Sequence, residues 1–143
     1  METTTGKTLQ CVVVTPERAV IDAAADFVAL PMYDGELGVL PDRAPLIGRL
    51  GYGELRIQQG ADTRRYFVDG GFAQVRANVV TVLTSRALKG EDIDPAAAEQ
   101  SLEAAKAPAE SPEKQEAQYK AQERARSQLR VAQRARGVFE TAH

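Results

Sequence analysis

The 143 residues contain one cysteine, one histidine and no tryptophan. Cys11 has no partner for an internal disulfide, which fits a reducing compartment. The single histidine is the last residue, His143. This scarcity excludes the common Cys–His metal clusters, Ser–His and Cys–His nucleophilic catalysis, and histidine acid–base chemistry. No apolar run approaches the ~18 residues that a membrane-spanning helix needs, so direct membrane insertion is not expected. The first residues lack the basic-then-apolar pattern of a secretory signal. There is no P-loop and no Gly-x-Gly-x-x-Gly opening a helix, and no motif pairs the carboxylates for general acid–base work. A net charge of −2 gives no bulk attraction to nucleic acid or anionic lipid. The expectation is a protein without catalytic residues, metal or cofactor: a binding or regulatory subunit rather than an enzyme.

What is present falls into two unlike halves that meet near Lys89. Nine of the eleven glycines lie at or before Gly71, and six of the eight aromatics at or before Phe72, which suits strands and turns. After Asp94 alanine dominates, interleaved with Glu, Lys, Gln and Arg, which suits helices. Charge is segregated too: residues 90–116 carry −6 and residues 117–143 carry +4.

In residues 1–88, short apolar or alternating runs are bounded by turn residues: Leu9–Val14, Phe27–Met32, Glu54–Gln58, Arg65–Val68, Phe72–Arg76 and Val79–Thr84. In Glu54–Gln58, Leu55 and Ile57 share one face while Glu54, Arg56 and Gln58 share the polar one, the period of a half-buried strand. Asp69-Gly70-Gly71 reads as a turn. Such spacing predicts a β-sandwich or flattened barrel. Cys11, inside the first strand, reads as a small buried hydrophobe.

Residues 89–143 predict an α-helical hairpin. Asp94-Pro95 starts a helix running to about Ala107, and Ser111-Pro112 starts a second, running to about Arg136 and stopped by Gly137. The packing stripes are thin: Ala98, Leu102 and Ala105 on the first helix, and Ala117, Ala121, Ala125, Leu129 and Ala132 on the second. Alanine buries little area, so the hairpin is either a frayed surface element or one able to detach at low cost. Large apolar residues after Pro95 are few: Leu102, Tyr119, Leu129, Val131, Val138 and Phe139. Arg124, Arg126, Arg130, Arg134 and Arg136 form a solvated charged face or a surface that docks on an acidic partner. The aromatic interleaving of a single-strand nucleic-acid binder is absent.

The stretch Asp34-Gly35-Glu36-Leu37-Gly38-Val39-Leu40-Pro41-Asp42-Arg43-Ala44-Pro45-Leu46 resembles the signature of the ε subunit of F-type ATP synthases, in which an acidic-Gly-Glu-Leu-Gly run leads to Pro-x-His/Arg-Ala-Pro-Leu. Tyr66-Phe67-Val68-Asp69-Gly70-Gly71-Phe72, Asn78-Val79-Val80-Thr81-Val82-Leu83, Lys89-Gly90-Glu91-Asp92-Ile93-Asp94 and Ser127-Gln128-Leu129-Arg130-Val131 follow in family order. The resemblance implies a sandwich of about ten strands followed by a two-helix C-terminal domain. It implies a non-catalytic rotor subunit of the central stalk, coupling proton or sodium flow to ATP synthesis. The expected partners are the γ subunit, the c-ring and the catalytic α/β subunits, at the cytoplasmic face of a bacterial inner membrane. By position it implies ring contact through a Glu36–Arg43 loop, with Glu36 and Arg43 supplying the charges, and γ contact near Ala44, Pro45 and Leu46. The five arginines would meet the β subunits when the helices extend and block ATP hydrolysis. Some relatives bind ATP through Ile/Leu-Asp-x-x-Arg-Ala. Here Ala97 replaces that arginine, so weak binding or none is expected, with Asp94 at most a remnant contact. Two other readings stay open: a coupling subunit with an inert hairpin, and a free-standing β-sandwich binding module.

Overall fold

A computed structural model describes residues 7–108 and 110–137. Val138, Phe139 and His143 lie outside the described residues. Eight strands form among them: β1 (Leu9–Val14), β2 (Ala19–Ala25), β3 (Phe27–Met32), β4 (Gly35–Val39), β5 (Leu46–Gln59), β6 (Asp62–Arg76), β7 (Val79–Leu83) and β8 (Ala87–Lys89). A 3-10 turn at Gly90–Asp92 leads to helices α1 (Pro95–Ala104) and α2 (Pro112–Ala135). Hydrogen bonding runs in the order β2-β1-β7-β6-β5-β3-β4, with β8 also on β6. All pairs are antiparallel except β1 with β7.

The strand count is eight, not ten, because β5 and β6 are long strands that serve both layers. The expected turn at Asp69-Gly70-Gly71 is a bend inside β6, and pairing with β5 continues on both sides: Leu50 opposite Gly71, Tyr52 opposite Asp69. Gly70 and Gly71 sit at φ +71° and +112°, values that glycine adopts without a Cβ penalty. The chain thus bends without losing its ladder. The sheet folds over this bend, and β1 through β7 all contribute to one core, with Leu9, Cys11, Val13, Val28, Leu30, Val39, Leu55, Val75, Val80 and Val82 almost fully buried. Three strands escaped the sequence reading, among them the three-residue β8 on β6. β2 is alanine-rich, and β4 lies inside the Asp34–Leu46 signature, so Glu36 is on a strand rather than in a loop.

The helices begin as their sequence signals dictate. The Asp94 carboxylate accepts from the Ala96 N–H and the Ser111 hydroxyl from the Lys114 N–H, each followed by proline in the first turn. Helix α1 ends at Ala104, three residues early. Gln122 of α2 donates to the Ala105 carbonyl at 2.9 Å, so the end of α1 is level with Gln122. Ala117 lies more than a turn beyond that point and is exposed, while Ala98, Ala105 and Ala125 are buried.

A second face of α2 packs on the sandwich. Val131 and Ala132 close a small core with Phe67 and Ile93, flanked by Tyr52 and Leu88. This cover explains why Tyr66, Phe67 and Val68 are all buried in an alternating strand: one side faces the sandwich core and the other faces the helix.

Candidate functional site

Three surfaces stand out, and two of them hold residues singled out by sequence. The first is the end of the sandwich at β4 and the turn after it. Glu36 is exposed and its carboxylate takes a 3.3 Å contact from Arg56 on β5. Arg43, Ala44 and Pro45 are exposed in the following segment, while Leu46 is half-buried against the main core. Asp42 fixes this turn. It adopts φ +67°, its N–H donates to the Asn78 side-chain oxygen at 2.6 Å, and its carboxylate binds the Lys7 ammonium at 2.7 Å. The Lys7 hydrogen bond, then the Asn78 amide, holds the Asp42 carboxyl below its ordinary range. The structure pairs Glu36 with Arg56, a residue that the sequence had placed only on the polar face of a strand.

The second surface was missed. Ile47 is 74% exposed, Phe72 59% and Leu83 52%. Phe72 pairs with Leu83 across β6 and β7, Leu83 pairs with Val14 of β1, and Ile47 and Arg49 point the same way from β5. Together they make an uncovered apolar face on one layer of the sandwich, next to Ala44–Leu46. Their periodicity was visible, but alternation does not say which of two apolar faces is left open.

The third surface is the arginine face of α2, which the structure splits. Arg124 brings its Nε to both Asp69 oxygens, at 3.1 and 3.0 Å, and stacks over Tyr52 at 4.8 Å. Arg134 reaches Glu54 at 3.5 Å. Arg136 donates to the Gly90 and Glu91 carbonyls at 3.2 and 3.1 Å. The Ser127 hydroxyl adds a bond to the Tyr52 carbonyl. Arg126 bonds Glu123 on its own helix, and Arg126 and Arg130 face outward. Glu54 is only 8% exposed despite its place on the polar face of β5. Arg56 and Arg65 satisfy it at 3.2 and 3.1 Å, and α2 covers it. Asp94 is exposed and its carboxylate serves as the α1 cap.

Among the described residues no group of acids, cysteine and histidine is arranged to hold a metal, and no helix is long and apolar enough to cross a membrane.

A family model for the β-sandwich domain of the ATP synthase delta/epsilon chain matches residues 8–90. The ATP synthase epsilon chain of Rhodopirellula baltica is 58% identical over 107 residues, covering 74% of this chain and 84% of the relative. That of a Synechococcus strain is 44% identical over 110 residues, covering 76% and 80%. Chains in the mitochondrial ATP synthases of Euglena gracilis and Tetrahymena thermophila share the fold, with TM-scores of 0.69 and 0.68 at 22% and 12% identity. The first match covers 91% of this chain and 80% of the other; the second covers 90% and 99%. A sandwich of this topology, a two-helix C-terminal segment and identity at this level over most of the length lead to one conclusion: the chain belongs to the epsilon-chain family of F-type ATP synthases, non-catalytic subunits of the rotary complex.

Proposed function

We propose that this chain is the central-stalk subunit of a proton- or sodium-driven bacterial ATP synthase, with two working parts. Residues 1–88 are the coupling domain, held between the γ subunit and the c-ring. Residues 89–143 are a two-helix brake on ATP hydrolysis. The observation that carries the coupling role is the uncovered apolar face of Ile47, Phe72 and Leu83. An open apolar surface of this kind marks a protein interface, and γ, meeting it along with Ala44, Pro45 and Leu46, fits it. Glu36 and Arg43, charged and exposed at the adjacent end, suit contacts with the polar loops of the ring. The complex would lie at the cytoplasmic face of the inner membrane.

The brake reading rests on how α2 is held. Its apolar seat is small, Val131 and Ala132 against Phe67 and Ile93 with Tyr52 and Leu88 at the edge, and arginine contacts add to it. Such an element can leave the sandwich and offer Arg124, Arg126, Arg130, Arg134 and Arg136 to an acidic surface of the catalytic β subunits. One observation favours an inert hairpin instead: Arg124, Arg134 and Arg136 already have partners at home. Nucleotide binding at Asp94 is weak or absent in either reading, since Ala97 offers no guanidinium and the Asp94 carboxylate is spent as a cap. Family membership removes the free-standing binding module.

The test is ATP hydrolysis by the purified catalytic head lacking this subunit, with the whole chain or a chain ending at Lys89 added back. Inhibition by the whole chain alone supports the brake. Equal behaviour of both leaves the coupling role and an inert hairpin.

A further inference from the structure

Glu54 is a buried carboxylate with more donors than one of its oxygens can serve. Its Oε1 faces guanidinium nitrogens of Arg65 at 3.1 Å, Arg56 at 3.2 Å and Arg134 at 3.5 Å, while a carboxylate oxygen offers two lone pairs. The Arg134 contact, the longest, is the one between this cluster and α2. Arg65 also reaches Oε2 at 3.2 Å. Arg56 is shared in turn: the same Nη1 lies 3.3 Å from Glu36, the exposed acid of β4. Glu36, Arg56, Glu54 and Arg134 thus form a continuous chain of alternating charge from the end of the sandwich to the helix that covers its side.

We infer that this chain is a relay in which capture of the Glu36 carboxylate by a cationic group on a partner loosens the docking of α2. The inference rests on the assignment of Glu36 to the ring contact and of α2 to a detachable element. When a partner cation takes Glu36, Arg56 loses its second acid and turns wholly to Glu54. Glu54 then holds Arg134 less well. Departure of α2 does not orphan Glu54, because Arg56 and Arg65 still neutralise it. Linkage makes the effect reciprocal: a docked α2 draws Glu54 toward Arg134, Arg56 turns toward Glu36, and Glu36 binds a partner cation less tightly. Partly exposed charge pairs set the scale at about two- to fivefold in the docking equilibrium.

The test uses the isolated full-length chain and amide hydrogen exchange of α2. Glu36→Gln removes the carboxylate as capture would. The expected result is a two- to fivefold faster exchange of α2 amides, with the β1 and β7 amides unchanged, and no effect of the same substitution when either Arg56 or Arg134 is already glutamine. Unchanged α2 exchange in Glu36→Gln overturns the relay. So does an acceleration that persists without Arg134, or one that spreads to β1 and β7. The hydrolysis assay reads the brake separately. A chain that inhibits hydrolysis while its α2 exchange ignores Glu36 keeps the brake and loses the relay. A chain whose exchange follows Glu36 without inhibiting hydrolysis keeps the relay and loses the brake.

Discussion

Gly71 combines φ +112° with a position where an added Cβ would run into the Leu83 carbonyl. Gly71→Ala therefore meets both backbone strain and a backbone clash, and the expected loss is about 3 kcal/mol, read as a lower urea midpoint of the isolated chain. Cys11 shows a different residue-scale effect. Burial pushes its thiol up from 9.0 to about 12, so the native protein should resist thiol reagents at pH 8 and react once unfolded. The sign of its linkage to stability follows from the raised folded-state value. Below about pH 9 the thiol is protonated whether the chain is folded or not, and its contribution is complete. As pH rises from 9 toward 12, only the unfolded chain loses the proton, so stability falls by about 1.4 kcal/mol per pH unit over that window. Denaturant midpoints of the wild type and Cys11→Ala, compared across that range, check it.

At the scale of elements, α2 is the informative one. Its cap, its proline and its stop at Gly137 were legible because capping depends on neighbours in the chain. Its partners were not. The alanine stripe finds α1, but the other face seats Val131 against Phe67 and Ile93, residues 64 and 38 positions away along the chain. Val131→Ala should cost the docked state about 2 kcal/mol. That is about 30-fold more opening of α2, visible as faster hydrogen exchange there and unchanged exchange in β1 and β7. Strand β5 carries the same lesson. Its alternation was correct, yet Glu54 on the polar face is buried, because a helix from the far end of the chain covers it.

At the scale of the whole molecule, the sandwich has one face closed by α2 and another left open around Ile47, Phe72 and Leu83. Polar substitution on the open face should separate folding from assembly. Phe72→Asp or Ile47→Asp should leave the thermal midpoint of the isolated chain nearly unchanged, since exposed positions move stability by only about 0.5 kcal/mol. The same changes should weaken association with γ by about tenfold or more, measured by binding to a purified γ–head complex. Equal binding by wild type and variants would place the γ contact elsewhere.

By itself the sequence determined the change from strands to helices near Lys89, the helix starts at Pro95 and Pro112, most of the strands and the family signature. Each of these rests on local physics: turn residues, caps, side-chain period and motif spacing. Only the tertiary structure decided that β5 and β6 bend through both layers instead of breaking. It also decided that Glu54 is a buried hub, that three of the five arginines are engaged at home, and that one apolar face stays uncovered. These depend on which distant segments meet, and a period-2 or period-3.6 pattern names a face without naming what lies across from it.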